Sequence, residues 1–209
     1  MRKSYKLLAT AHYNLIVVLK LIIRKEEDVT HTDDFGMSVV HYAAQEGHTG
    51  YLEALWDYLD EDKSVIAELV HGVAILGNLT LLHLACRQHH ERVAISLLRK
   101  GADPLSLITD NKTPFFFALQ LGMTEVARMM IRRSKADPKL IDMKLETSPG
   151  KCATALHVDV DMAKMLLLEG ANVLARDSDG KAPHEIITEL KSKEAQAEFH
   201  KLLLKRCLK

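Results

Sequence analysis

The sequence has no excess of charge of either sign: lysine plus arginine and aspartate plus glutamate number 28 each, and the formal net charge is zero. A neutral chain exerts no global pull on nucleic acid or on an anionic membrane, and neither is expected as a partner. Aromatic residues are scarce at 5% and prolines number only five, which speaks against an all-β sandwich and for helices of leucine, alanine, isoleucine and valine. Cysteine is sparse too. Cys86, Cys152 and Cys207 are odd in number and no two stand in C-x-x-C spacing. That excludes a disulfide framework, makes a zinc site unexpected and points to a reducing, cytoplasmic compartment. Long apolar runs are missing. Residues 15–23 are apolar apart from Lys20, far short of the roughly 20 residues of a membrane-spanning helix, and no small-residue cleavage site follows to make them a signal peptide. The sequence also contains no G-x-S-x-G, P-loop or G-x-G-x-x-G. Nothing therefore supports an enzyme, and no cofactor or metal is expected.

What the 209 residues do contain is 47% hydrophobic residues, enough for a sizeable core, and one recurring phrase. Ser38-Val39-Val40-His41-Tyr42-Ala43-Ala44 returns as Thr80-Leu81-Leu82-His83-Leu84-Ala85-Cys86, as Thr113-Pro114-Phe115-Phe116-Phe117-Ala118-Leu119, and in part as Thr154-Ala155-Leu156-His157. Gly47-His48 follows the first phrase. Gly101-Ala102-Asp103-Pro104 follows Leu97-Leu98, and Gly170-Ala171-Asn172-Val173 follows Leu166-Leu167-Leu168. The stretch from Asp177 through Gly180 to Pro183 reads as the turn that opens a further unit. The interval from Thr80 to Thr113, counted back from Ser38, arrives at Tyr5. From Tyr5 the chain falls into phase. Ala11 takes a small packing position, Val18, Leu19, Ile22 and Ile23 take a second-helix core, and Asp33 and Gly36 take a turn.

These phrases resemble the T-P-L-H-x-A signature of ankyrin repeats, and the interval from Thr80 to Thr113 equals that family's period. The resemblance implies an all-α, ankyrin-repeat solenoid of about six stacked helix-turn-helix units with finger loops. All of 1–209 would be one domain, with units near 5–37, 38–79, 80–112, 113–153, 154–181 and 182–209. Two spacings exceed the period: that from Ser38 to Thr80 and that from Thr113 to Thr154. The extra residues fall near 60–78, where 62–69 have the makings of a short helix, and near 139–151. Insertions at repeat junctions are expected to project from the stack as surface loops. Between His157 and Gly170 the chain is short, so the first helix there is expected to be truncated or distorted.

Local chemistry agrees with this architecture. Ser38, Thr80, Thr113 and Thr154 suit helix N-caps, and Pro114 and Pro183 suit the first helical position. Gly47, Gly101, Gly122 and Gly170 suit helix ends that need positive φ. Ala43, Ala44, Ala85, Cys86 and Ala118 allow helices to approach closely. One unit cannot bury its own apolar face, so stability comes from stacking. The first and last units depart from the middle ones; the last has Glu185 in the histidine place and a polar second helix over 195–204. With Met1, these ends make a complete chain the expectation.

Eleven histidines invite a catalytic or metal reading, but His41, His83 and His157 hold the signature position, which in the family ties turns together. His89-His90 stands where Gly-His is usual, a turn role. His157, Asp159 and Asp161 alternate as hard-ligand donors would, although solvated carboxylates are the simpler reading. Cys86 reads as a buried structural thiol. The cations Lys201, Lys205, Arg206 and Lys209 suit a helix C-terminus.

By resemblance, the function is protein–protein interaction, as an adaptor or inhibitor, through the finger tips and the exposed side of the first helices. In phase with that surface stand Phe35 and Met37, Gln45 and Glu46, Leu79, Arg87 and Gln88, Lys112, and Gln120. Phe35, Met37 and Leu79 would be apolar anchors and Arg87 a polar one. The partner is a protein, and the chain itself is expected to be a monomer. Two alternatives stand beside this reading: a secreted bacterial effector using the same surface in the host cytosol, and a targeting subunit of a larger enzyme complex.

Overall fold

The computed structural model describes residues 4–23, 29–59, 62–74, 78–109, 112–134, 144–148, 151–154, 160–172, 176–177, 179–182, 185, 197, 200–201 and 204. The architecture is that of ankyrin repeats, in which a short helix turns back into a longer one. In chain order come α1 (Ser4–His12), α2 (Ile16–Ile23), α3 (Val39–Gln45), α4 (Thr49–Tyr58) and α5 (Lys63–His71). The strands β1 (Val73–Ala74) and β2 (Leu79–Thr80) precede α6 (Leu81–Arg87), α7 (Glu91–Lys100), α8 (Pro114–Gln120) and α9 (Thr124–Arg133). After them come β3 (Lys144–Ser148), β4 (Lys151–Thr154) and α10 (Val160–Glu169). The chain forms two compact units, Met1–Phe117 and Ala118–Lys209, with the boundary inside α8.

In the first unit the short helices α1, α3 and α6 pack on one another in order, and the long helices α2, α4 and α7 do the same, giving two layers. Close approach in the short-helix layer depends on small side chains. Ala11, Ala43, Ala44, Ala85 and Cys86 are all 0% exposed. Burial pushes the Cys86 thiol pKa upward and leaves it inert. Thr10 takes the place one period before Ala43, and its hydroxyl is satisfied by Leu7 O at 2.6 Å and the Tyr51 hydroxyl at 2.8 Å. The long helices are amphipathic: α7 buries Val93, Ala94, Leu97 and Leu98 and exposes Glu91, Arg92 and Arg99. Each fully buried leucine contributes about 1.5–3 kcal/mol.

The period is visible in the elements themselves. Long helices begin at Ile16 and Thr49, and again at Glu91 and Thr124, each pair one period apart. Turns between paired helices use positive φ at Gly47 (76°) and Gly122 (68°), and at His89 (61°) where that repeat has no glycine. Gly47 is doubly constrained, because a Cβ there would lie 2.6 Å from the His90 ring. Gly101 and Gly170 end α7 and α10 with φ of 112°, and Pro114 is the first residue of α8.

The insertion near 60–78 departs from the projecting loop expected of it. It contains α5, capped by Asp62 through a bond from the Val65 N–H. Ile66, Leu69 and Val70, spaced on one helical face, are buried, and α5 packs on α7. It then returns through β1 and β2, antiparallel with Val73 opposite Thr80 and Ala74 opposite Leu79.

In the second unit α9 packs against α10, and β3 pairs antiparallel with β4, placing Lys144 opposite Thr154. The insertion near 139–151 thus carries a hairpin, and Thr154, expected as a helix cap, ends a strand. The shortened helix anticipated after Thr154 falls on 155–159, outside the described residues, as do His157, Asp159, Pro183 and most of the C-terminal tail.

Candidate functional site

The fingers are held by histidines and aspartates rather than by extended sheet. In the Thr80 repeat, the His83 ring is 0% exposed. Its Nε2 lies 3.2 Å from Lys112 O, and because a carbonyl only accepts, Nε2 carries the proton. Nδ1 then accepts from the Thr80 hydroxyl at 2.8 Å and the Thr80 N–H at 3.3 Å. A second proton would have to sit on Nδ1, against those donors. Burial first of all, opposed by backbone hydrogen bonds from the ring, holds the His83 pKa down to about 4. His41 repeats the local half of this network: Nδ1 accepts from the Ser38 hydroxyl at 2.8 Å and the Ser38 N–H at 3.1 Å. Its outer half is changed. His41 Nε2 is buried with no hydrogen-bond partner among the described residues, facing the backbone of Gly72. Burial lowers its pKa to about 4 as well. Both rings are therefore neutral structural groups.

A second set of histidines joins neighbouring repeats. His48 Nε2 donates to His12 O and His90 Nε2 donates to Gln45 O, each at 3.0 Å; the two acceptors are one period apart and each ends a short helix. The first finger is closed by Asp33, whose Oδ1 accepts from Phe35 N and Met37 N at 2.9 Å and whose Oδ2 accepts from the Tyr42 hydroxyl at 2.6 Å. That bond, more than burial, pushes the Tyr42 pKa up to about 12. Gly36 makes the turn with φ 73°. Asp177, Gly180 and Lys181 build the same finger in the second unit. There Glu185 does the work of the missing histidine, its Oε2 accepting from Ala182 N at 2.9 Å, half of a capping box.

The anticipated contact residues fare unequally. Phe35 stands out from the finger at 60% exposed, while Met37 is half-buried. Gln45 and Glu46 are half-buried at the end of α3, and Glu46 lies 3.6 Å from His12 Nδ1. Leu79 is half-buried and engaged in strand β2 opposite Ala74, so it is a hairpin residue rather than a finger tip. Arg87 and Gln88 are exposed at the end of α6. Lys112 gives its carbonyl to His83, and its half-buried side chain places Nζ 5.3 Å from the centre of the Phe116 ring. Gln120 is exposed at the end of α8, in the second unit.

The row also extends to residues outside that set. His12 and Tyr13 stand one period before Gln45 and Glu46, and the period itself was the signal that could have found them. Tyr13 is 68% exposed. Together with Asp33, Asp34, Phe35 and Tyr42 they line a cavity of about 380 Å³ floored by α1. His12 packs edge-on against Tyr13, ring centres 4.8 Å apart, and against Tyr42 at 6.0 Å. A larger depression of about 530 Å³ lies between α4 and α7, where Trp56 and Ile95 form part of the lining and Glu53, Asp57, Arg92 and Arg99 bring both signs of charge. Among the described residues no cluster of histidine, cysteine or acidic groups is arranged to hold a metal, and no helix is long and apolar enough to cross a membrane.

Comparison with known proteins agrees with this architecture. Residues 7–107 match the family model for ankyrin repeats in three copies. The chain is 24% identical over 184 residues to a transient receptor potential cation channel subfamily A member 1 homolog of Caenorhabditis elegans, covering 87% of this chain and 14% of that protein. It is 27% identical over 128 residues to the tyrosine-protein kinase HTK16 of Hydra vulgaris, covering 59% of this chain and 16% of the kinase. The matched region is thus a small part of either relative. A chain from the complex of a predatory endopeptidase of Bdellovibrio bacteriovorus with an immunity protein superposes with a TM-score of 0.64, over 93% of this chain and 96% of that one, at 20% identity. That likeness shows the fold. Residues 7–107 belong to the ankyrin-repeat family.

Proposed function

We propose that this chain is a non-catalytic protein-binding module, an adaptor or inhibitor in the cytoplasm, acting as a monomer that masks a partner's surface with its short helices and fingers. Ankyrin repeats are protein-interaction modules, and the structural neighbour is a chain of a protein–protein complex, that of an endopeptidase with an immunity protein. The observation that carries the reading is the exposure of Tyr13 and Phe35, two large rings, around one cavity of the short-helix side, with Arg87 and Gln88 exposed on α6 of the same layer. Aromatic residues and arginine are the side chains that dominate binding energy at interfaces.

The test uses the full chain as bait, with mass spectrometry to identify what it retains and purified partner for affinity. Changing Arg87 and Gln88 to Glu should weaken binding by about 2 kcal/mol, roughly thirtyfold, and shift stability by only about 0.5 kcal/mol. Changing Arg92 and Arg99 to Glu, on the exposed side of α7, should leave affinity intact. The reverse pattern would move the contact surface to the long-helix layer and end this proposal.

A further inference from the structure

We infer that the cavity beside α1 receives an arginine side chain of the protein partner, its guanidinium against the rings of Tyr13 and Phe35 and paired with Asp34; this rests on the protein-binding reading above. The walls combine aromatic side chains with carboxyl groups. Four rings, those of His12, Tyr13, Phe35 and Tyr42, meet two carboxylates, Asp33 and Asp34, and no lysine or arginine lines the space. The basic group that does line it, His12, is already beside Glu46 at 3.6 Å. Asp33 is committed to the finger through the Phe35 N–H, the Met37 N–H and the Tyr42 hydroxyl, and its carboxyl group lines the wall. Asp34 is exposed and has no partner among the described residues.

An apolar occupant would gain contact with the rings but would strip water from the carboxylates without replacing it, which costs free energy. A cation gains on both counts, because ring faces attract positive charge within about 6 Å of their centres. Arginine suits the site better than lysine: its planar, weakly hydrated guanidinium stacks on aromatic faces and forks onto a carboxylate, whereas an ammonium is a strongly hydrated point. The lock between Tyr42 and Asp33 holds one ring and one carboxylate in place before binding, so less freedom is lost on docking.

The experiment is a titration of the full chain, followed by the NMR ring resonances of Tyr13 and Phe35, with the capped peptide acetyl-Gly-Arg-Gly-amide and with its citrulline analogue. Citrulline keeps the shape and removes the charge. Saturable ring shifts are expected with the arginine peptide, with the citrulline peptide at least about fivefold weaker, as a desolvated cation–π contact with a carboxylate requires. Asp34→Asn should remove most of that discrimination, and Phe35→Ala should abolish the shifts; both positions are exposed, and unchanged backbone spectra would verify folding. Equal affinity for the two peptides, or no ring shift at about 20 mM peptide, a concentration at which even millimolar binding registers, overturns the inference. Either result leaves the Arg87 and Gln88 test untouched, so the arginine site and the wider docking surface fail separately.

Discussion

Acid should unfold the first unit through two buried rings. His41 and His83 are 2% and 0% exposed, and burial holds both pKa values down to about 4, against 6.5 when free. Between those values the unfolded chain takes up protons that the folded chain refuses, so stability is full above about pH 6.5 and is lost as pH falls toward 4. At pH 5 each ring costs about 2 kcal/mol, so the pair costs about 4 kcal/mol out of a domain stability of order 5–15 kcal/mol. Trp56 is the one tryptophan, is buried in α4 and lies in the same unit, so its fluorescence in urea titrations at pH 7, 6 and 5 reads the relevant transition. His83→Gln supplies the control, since an amide can donate to Lys112 O and accept from Thr80 without titrating; it should lose about 2 kcal/mol between pH 7 and 5 instead of about 4. His83→Ala at pH 7 should cost about 1–3 kcal/mol, through the orphaned Lys112 carbonyl and Thr80 donors. A parent whose unfolding free energy is the same at pH 7 and 5, or a glutamine variant as acid-sensitive as the parent, would refute the assignment of these rings as neutral supports.

Two further outcomes follow from packing. Gly47→Ala meets both a φ of 76° and the His90 ring at 2.6 Å and should cost about 2–4 kcal/mol, whereas Gly122→Ala, with φ 68° and open space around it, should cost only about 1 kcal/mol; equal losses in thermal melts would mean that the His90 contact adds nothing. Leu69→Ala should destabilise by about 2–5 kcal/mol, because Leu69 is 3% exposed in a helix packed on α7, and a loss below about 0.5 kcal/mol, the scale of a surface change, would return that insertion to the status of a loop.

The helices were legible wherever the chain repeats itself, and even the weakly matching first repeat was placed by its phase. Stacked units must keep helices in register to bury a common face, so Ala11 and Leu19 can be assigned to the core from their distance to Ala44 and Leu52 alone, and all four are buried, whereas Val18, read as core beside Leu19, is 39% exposed. The same reasoning treats His41 and His83 alike, which they are not. His83 reaches the carbonyl of Lys112. The residue equivalent to Lys112 one repeat earlier is Leu79, drawn into β2 opposite Ala74, and His41 Nε2 is left facing the backbone of Gly72, with no hydrogen-bond partner in good geometry among the described residues. What changed was the acceptor, tens of residues away, and a signature that describes only the ring's own phrase carries no record of it. Docking of α5 escaped for a related reason: Ile66, Leu69 and Val70 already had helical spacing, but a stack assumed to be full offered them nothing to cover. At the candidate site the period locates Phe35, and the same period carried back from Gln45 and Glu46 arrives at His12 and Tyr13. His12 and Tyr13 replace Gln45 and Glu46 in the first repeat, exchanging a polar pair for two rings beside Asp33 and Asp34. Repetition accounts for the scaffold, and at that position the departure from it concentrates aromatic and acidic groups where the backbone is otherwise the same.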